Sequence, residues 1–338
     1  MENYRVGRNP HIRHEDSSRS LLLDFCIALT PSLIWGIYAF GMRAFLIVSL
    51  SVVFCLFWEA LSLRILKRKA PVASLSAVAT GLLLAMALPA SVSLWVPVVG
   101  AFFAIVVAKQ LLGLWGKNFF NPPLFARAIL LLLIPSQMNG FPQPFSPLSP
   151  FSFSLSQETL SDEFATASPL TALQEGSRSM PVISDLLTGS FAGCIGGVSA
   201  LLLFTGFLYL LVRRVITWHI PVSFLVTAAA LSFFFPGGGD RLEWMITFLL
   251  SGGVLLGAVF LATDGVTSPV TDMGKVIFGV LCGVLTVVFR AFVSDAYGAG
   301  LAILLANLTA RPLDFLCRPR PYGTSFFAMR KKTKGFEA

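Results

Sequence analysis

The chain has 338 residues, of which 55% are hydrophobic and only 12% are charged, and its mean hydropathy is +0.78. This composition excludes an ordinary soluble domain and indicates a protein that folds in lipid. The formal charge of +8 would suit a nucleic-acid partner, but the basic residues concentrate at the ends of apolar segments and at the C-terminus. Membrane orientation explains that distribution better, so we predict a lipid bilayer as the partner and no nucleic acid.

Residues 1–19 form a polar arm with four arginines, and no small-residue cleavage site follows the first apolar run. This pattern predicts a retained first helix. Since a spanning helix needs about 20 mostly apolar residues, hydropathy predicts about ten of them. The predicted helices cover residues 20–38, 43–63, 75–89, 94–112, 124–135, 193–212, 219–235, 244–263, 275–293 and 299–315.

The positive residues predict how these helices are oriented. The arm, the cluster at 64–69, Lys109, the pair at 213–214 and the tail at 316–338 fall on one side when ten helices are threaded alternately. That side is predicted to be cytoplasmic, with both termini on it and the chain in the plasma (inner) membrane. The opposite side then receives the long connection at 136–192, whose charged residues are mostly acidic.

Two halves, residues 20–135 and 193–315, share a pattern of interrupted helices. A glycine-rich short helix meets polar backbone at 81–89 and again at 257–269. Five helices per half make the second half enter from the opposite side, which predicts an all-α polytopic bundle of two five-helix inverted repeats. The alternative is that glycine and proline are simply common in membrane helices.

Polar residues at the two breaks are candidates for an intramembrane cavity. Asn118 and Asn121 precede the short helix at 124–135, and Asp264 and Thr267 lie in the second break. Such backbone and side chains could line a cofactor or ion cavity, or Asp264 could cap local structure. Arg127 could pair with Asp264 or hold an anionic group. The residues leave both questions open.

The five cysteines lie mostly within apolar runs and show no C-x-x-C or histidine-paired spacing. We therefore predict neither a metal site nor a disulfide framework. The connection at 136–192 is the more informative polar segment, because structureless loops of this length are usually functional or disordered. It offers several hydroxyls, and Pro169 biases Ser168 toward extended backbone that suits a modifying enzyme. A solvated Ser/Thr turn also fits these residues.

Several short motifs, in order along nearly the whole chain, resemble one family. They lie at residues 10–13, 31–36, 76–85, 116–122, 262–269 and 302–307. Through them the chain resembles the D subunit of the Rnf electron-transport complex, which is related to the B subunit of the sodium-translocating NADH:quinone oxidoreductase.

The resemblance implies a covalent FMN. In that family the FMN phosphate is attached to a hydroxyl in a motif that begins with Asp and ends with a small pair, Ala, and then Thr or Ser. Here Asp162, Thr166 and Ala167 fit the motif, and Ser168 is the implied acceptor. Thr166 is the second candidate, and a flavin transferase is the implied partner that attaches the FMN.

The resemblance also implies the function. Electrons would pass through the flavin while the complex moves Na⁺ or H⁺ and couples NADH and ferredoxin chemistry. Hydride transfer would belong to the other subunits, so no catalytic residue is predicted in this chain, and a second, non-covalent flavin, riboflavin, would lie among the helices. The alternatives that the residues leave open are a solute channel or transporter without redox activity and a membrane scaffold for partner subunits.

The chain departs from the family pattern at two positions. Gly197 and Ala299 stand where the family commonly has glutamate. Any role of those carboxylates in binding an ion or placing a cofactor is therefore in doubt for this chain.

Overall fold

The computed structural model describes residues 18–67, 75–115, 118–145, 165–166, 183–236, 240–251, 253–292 and 298–318. These residues are mostly helical, as predicted, with one two-stranded pair. Within them, four helices are long and apolar enough to cross a membrane, and a bent helix pair is a fifth candidate. Shorter apolar helices occupy the other predicted segments. The count of ten spans and the inverted repeat stay predictions.

The first two helices form an antiparallel hairpin. Helix α1 (Ser18–Phe40) and helix α2 (Met42–Ile65) are joined through Gly41, whose φ of 69° lies in the left-handed region that glycine adopts without cost. The hairpin defines two ends of the molecule. We name the end that holds Ser18 and Ile65 the basic side, and the end that holds Phe40 and Met42 the loop side.

Helix α3 (Leu75–Met86) has 12 residues and stops short of a full span, since 12 residues rise only about 18 Å. The predicted helix 75–89 therefore ends early, and irregular backbone follows it. In lipid such backbone needs partners, and the buried Arg43 guanidinium supplies them by donating to the Ala90 carbonyl at 3.0 Å and the Val92 carbonyl at 2.8 Å.

The next elements run back to the basic side and then toward the loop side again. Helix α4 (Val96–Phe102) continues as a π-helix (Phe103–Leu111) and a 3₁₀ turn (Leu112–Trp115). Helix α5 (Pro122–Leu133) leads to the one-turn helix α6 (Pro135–Met138) and strand β1 (Phe141–Pro142). Strand β2 (Ala165–Thr166) pairs with β1 in antiparallel register, with Phe141 opposite Thr166.

In the second half, the described residues form seven helical elements. They are α7 (Ile183–Thr188), α8 (Ala200–Val212), α9 (His219–Phe234), α10 (Arg241–Leu250), α11 (Val254–Leu256) with a π-helical extension (Gly257–Leu261), α12 (Asp272–Phe292) and α13 (Gly298–Leu316). Two of them differ from the hydropathy prediction.

The predicted helix 193–212 begins only at Ala200, because the glycine-rich residues before it pair with the break in the first half. The Ile195 N–H donates to the Leu88 carbonyl at 3.0 Å, and the Gly196 N–H donates to the Met86 carbonyl at 2.9 Å. Hydropathy detects the apolar side chains of this segment but not these backbone bonds.

The predicted helix 244–263 is bent by 56° between α10 and α11. Gly253 adopts a φ of 72° at the bend. Arg290, from α12, donates to the Phe248 carbonyl at 2.7 Å and the Ser251 carbonyl at 3.0 Å, so it stabilises the carbonyl end of α10. Both interruptions, this bend and the break after α3, are thus held by a buried arginine.

Apolar packing connects the two halves. One core cluster includes Leu29 of α1 together with Phe224, Phe260 and Phe278 of the second half. Large apolar side chains also remain exposed on the helix surfaces, for example Ile34, Phe234 and Phe292. Surfaces of this kind are costly in water and suit contact with lipid.

Candidate functional site

A cavity of about 380 Å³ lies on the basic side, between the two halves. This volume is within the range of about 300–1,000 Å³ that ligand pockets usually have. Its apolar walls come mainly from Leu21, Phe25, Leu83 and Phe260. A few polar side chains from the breaks converge on it, which is the composition expected of a small-molecule site.

The structure brings three of the five predicted cavity residues together. Asn118, Asn121 and Asp264 line the cavity. Arg127 and Thr267 do not line it, although Thr267 lies behind Asp264 and donates its hydroxyl to that carboxylate at 3.3 Å. The two breaks in the sequence therefore meet in space, as expected for residues predicted to share a site.

Asn121 is buried in the cavity wall, where a hydrogen bond holds its side chain. Its Nδ2 donates to the Leu261 carbonyl at 2.9 Å. Its backbone N–H lies 3.2 Å from the Asn307 amide oxygen, in the amide orientation that satisfies both groups. Its Oδ1 is buried and has no hydrogen-bond partner among the described residues. Because a buried unpaired acceptor costs about 1–3 kcal/mol, this oxygen suits a ligand that donates an N–H or O–H.

Asp264 both caps local structure and lines the cavity. Its carboxylate accepts from the Val266 N–H and the Thr267 hydroxyl, each at 3.3 Å, and its carbonyl accepts from the Ser268 N–H at 3.1 Å. Burial raises the pKa of this carboxyl, while the two hydrogen bonds it accepts act in the opposite direction. Asp264 therefore lines the cavity and caps local structure at the same time, so the two predicted roles are compatible in this fold.

Arg127 is buried on α5, and its Nη2 lies 3.8 Å from the Cys194 sulfur. Ion pairs in the described part of the chain join Asp24 to Arg213, Glu59 to Lys109 and Asp272 to Lys275. Arg127 and Asp264 do not form one, so the suggested pairing between the two breaks is absent.

One charged pair at the cavity was missed by sequence reasoning. Lys109, on the π-helix, lines the cavity and its Nζ lies 2.6 Å from Glu59 Oε1 of α2. In the sequence Lys109 served only as an orientation signal. The signal that could have found the pair is that both charges occur within predicted apolar helices, near the same side.

A smaller cavity of about 200 Å³ adjoins the first. The two share Val215, Ile216, Thr263 and Gly265 in their linings, and the smaller one extends toward Lys275. A polar part of a ligand bound in the main cavity could therefore extend into the smaller cavity on the basic side.

Of the predicted attachment motif, the small pair Ala165 and Thr166 lies within the described residues; Asp162, Ala167 and Ser168 lie outside them. Thr166 is in β2, opposite Phe141 of β1. The chain just beyond β1 is fixed to the end of α1, because the Phe145 N–H donates to the Ala39 carbonyl at 2.7 Å. The backbone of Thr166 is therefore on the loop side, away from the cavity.

The two positions that depart from the family pattern lie at the same bend. A Cβ at Gly197 would be 3.5 Å from the Gly253 Cα, an ordinary contact, and a Cβ at Gly257 would be 3.4 Å from the Ala299 Cβ. Gly197 and Ala299 thus flank α11 from different elements.

The sequence matches the model of the NQR2, RnfD, RnfE family over residues 5–323. It is 38% identical over 326 residues to the D subunit of the Na(+)-translocating ferredoxin:NAD(+) oxidoreductase complex of Acetobacterium woodii, with 96% of each chain covered. It is 34% identical to the D subunit of the ion-translocating oxidoreductase complex of Aliivibrio salmonicida, over 94% of this chain and 98% of that one. The corresponding protein of Stutzerimonas stutzeri is 36% identical over 90% of this chain and 91% of its own length.

Proposed function

The chain belongs to the NQR2, RnfD, RnfE family, and from this membership we propose that it is a flavin-carrying subunit of an ion-translocating electron-transport complex. Its relatives are named as D subunits of such complexes. In this role it carries electrons through FMN attached at Ser168 while the complex moves Na⁺ or H⁺. The other subunits, which couple NADH and ferredoxin chemistry, supply the hydride transfer, and both termini lie on the cytoplasmic face of the plasma membrane.

The position of Thr166 supports an attachment site on the loop side. A phosphodiester to FMN needs a hydroxyl, and Ser168 follows Thr166 by two residues. Thr166 pairs with Phe141 on the loop side, and two residues of chain extend about 7 Å at most, which supports an acceptor on that side. A flavin transferase acting on the loop side can reach such a hydroxyl.

The cavity on the basic side supports a second, non-covalent flavin, riboflavin. Its apolar walls suit the ring system, and the Asn121 Oδ1 suits the ring N–H that lies between two carbonyl groups. The Asn118 amide N–H groups can donate to the carbonyl edge of the ring, and the Asp264 carboxylate can accept from the ribityl hydroxyls. A bound flavin supplies reversible storage of electrons. The protein residues bind the ring, orient it through a fixed amide, and exclude water along the apolar walls.

The attachment is tested by in-gel fluorescence of the full chain after co-expression with its flavin transferase. The denatured band fluoresces under ultraviolet light if FMN is covalent, and a dark band rejects the proposal. Ser168→Ala abolishes the signal and Thr166→Ala leaves it. The reverse result would move the acceptor to Thr166.

An inverted-repeat solute channel or transporter without redox activity is the second candidate. The interruptions after α3 and between α10 and α11 favour it, because transporters use broken helices at their substrate sites. Substrate flux through the isolated chain in liposomes, with no flavin in the preparation, would establish it.

A further inference from the structure

The ion pair between Lys109 and Glu59 is built into one wall of the main cavity. Lys109 Nζ lies 2.6 Å from Glu59 Oε1, and the two side chains are 18% and 5% exposed. Lys109 lines the cavity and Glu59 does not. The positive member of the pair therefore belongs to the cavity wall, and the negative member is one contact removed from it.

This arrangement has an electrostatic consequence for any ligand whose charge changes. The energy of two charges falls with distance and with the local dielectric, so a nearby, mostly buried charge acts far more strongly than an exposed one. The ammonium of Lys109 favours extra electrons in the cavity. The carboxylate of Glu59 opposes them from farther away, and the carboxylate of Asp264 opposes them from another part of the lining.

We propose that the Lys109–Glu59 pair sets the reduction potential of the flavin in this cavity, with Lys109 raising the potential and Glu59 lowering it. The inference rests on the proposed second flavin. The flavin ring takes up two electrons and one proton to give its anionic reduced form, so the cavity gains one negative charge. The reduced form is therefore bound more tightly when Lys109 is present and less tightly when the charge of Glu59 is present.

The sign of the effect separates this role from a structural one. If the pair only held α2 against the π-helix, removal of either charge would weaken the fold and any effect on the flavin would have the same direction in both variants. Under the proposal Lys109→Met and Glu59→Gln move the potential in opposite directions, and Lys109→Arg stays near the parent.

The experiment uses the full chain in lipid nanodiscs with Ser168→Ala as the parent, so that only the non-covalent flavin is titrated. The midpoint potential is measured by spectroelectrochemical titration. We expect Lys109→Met to lower the midpoint potential and Glu59→Gln to raise it. Each shift should correspond to about a tenfold change in the ratio of the dissociation constants of oxidised and reduced flavin. For a two-electron couple a tenfold change corresponds to about 30 mV.

The double variant guards against misfolding of Lys109→Met, which leaves the buried Glu59 carboxylate without its lysine. With both charges removed the potential returns toward the parent value. The matched control is Arg213→Met, which breaks the pair with Asp24 on the same side. Neither Asp24 nor Arg213 lines the cavity, and Arg213 is 52% exposed, so the potential stays unchanged.

Shifts in the same direction for the two single variants, or shifts no larger than that of Arg213→Met, would overturn the inference and leave the second flavin standing. A parent chain that retains no flavin would overturn the second flavin itself, and this inference with it.

Discussion

The two candidate flavin sites of this protein are made in different ways. The cavity on the basic side is assembled from residues far apart in the chain, from Leu21 to Val266, and it exists only because both breaks pack together. The proposed attachment on the loop side needs a short linear motif, one hydroxyl and a modifying enzyme. In a site of the first kind, substitution of one wall residue lowers the flavin affinity only in part, since each wall residue contributes part of that affinity. A site of the second kind is all or none.

The largest expected effect is at the attachment site. Ser168→Ala removes the only atom that can form the phosphodiester at that position, so covalent flavin is lost completely, whereas Ser168→Thr keeps a hydroxyl and retains it. Mass analysis of the peptide covering 136–192 measures both. Partial labelling of Ser168→Ala would show that this site is not all or none and that Thr166 shares the modification.

An intermediate effect is expected in the cavity wall. Asn121→Leu removes the buried Oδ1 that suits a ring N–H, at a cost of about 1–3 kcal/mol, which corresponds to about 5- to 150-fold in riboflavin affinity. Flavin released from acid-precipitated protein measures the occupancy.

The covalent flavin of Asn121→Leu is expected to stay at the parent level, because the proposed attachment is on the loop side and the cavity is on the basic side. Asn139→Leu, an exposed loop-side amide, is the matched control and leaves riboflavin unchanged. Equal loss of both flavins in Asn121→Leu would contradict the separation of the sites.

The smallest expected effect is a pH dependence at Asp264. Burial raises the pKa of this carboxyl, so the folded chain holds the proton to a higher pH than the unfolded chain. Unfolding then releases a proton, and stability falls as the pH rises above the unfolded value of about 3.9. Asp264→Asn cannot titrate, so its stability relative to the parent improves as the pH rises through the titration range of this carboxyl.

Apparent melting temperatures of Asp264→Asn and the parent, measured in parallel from about pH 4 upward, test this dependence. A difference between the two that does not change with pH would show that Asp264 is ionised in the folded chain throughout that range.

Hydropathy located the helices well because burial in lipid demands long apolar runs, and α1, α2, α12 and α13 have them. It failed where backbone hydrogen bonds decide the structure. The residues before Ala200 pair with Met86 and Leu88, and no side-chain pattern reports that pairing. The bend at Gly253 depends on a partner, Arg290, that is distant in sequence.

Part of the lining of the candidate cavity could be predicted from the sequence, because polar residues at helix breaks are conspicuous among apolar ones. Asn118, Asn121 and Asp264 stood out because polar groups at breaks in apolar helices need partners. Which of them share a wall is a tertiary fact, and Arg127 therefore fell outside the lining. Lys109 was missed because a charge near a helix end is normally explained by orientation alone.

The most direct test of the two-site account is a flavin balance on the purified chain, co-expressed with its flavin transferase. After acid precipitation the account predicts FMN in the pellet, carried on the peptide covering 136–192, and riboflavin in the supernatant. Flavin absent from both fractions, or FMN released entirely into the supernatant, would contradict it.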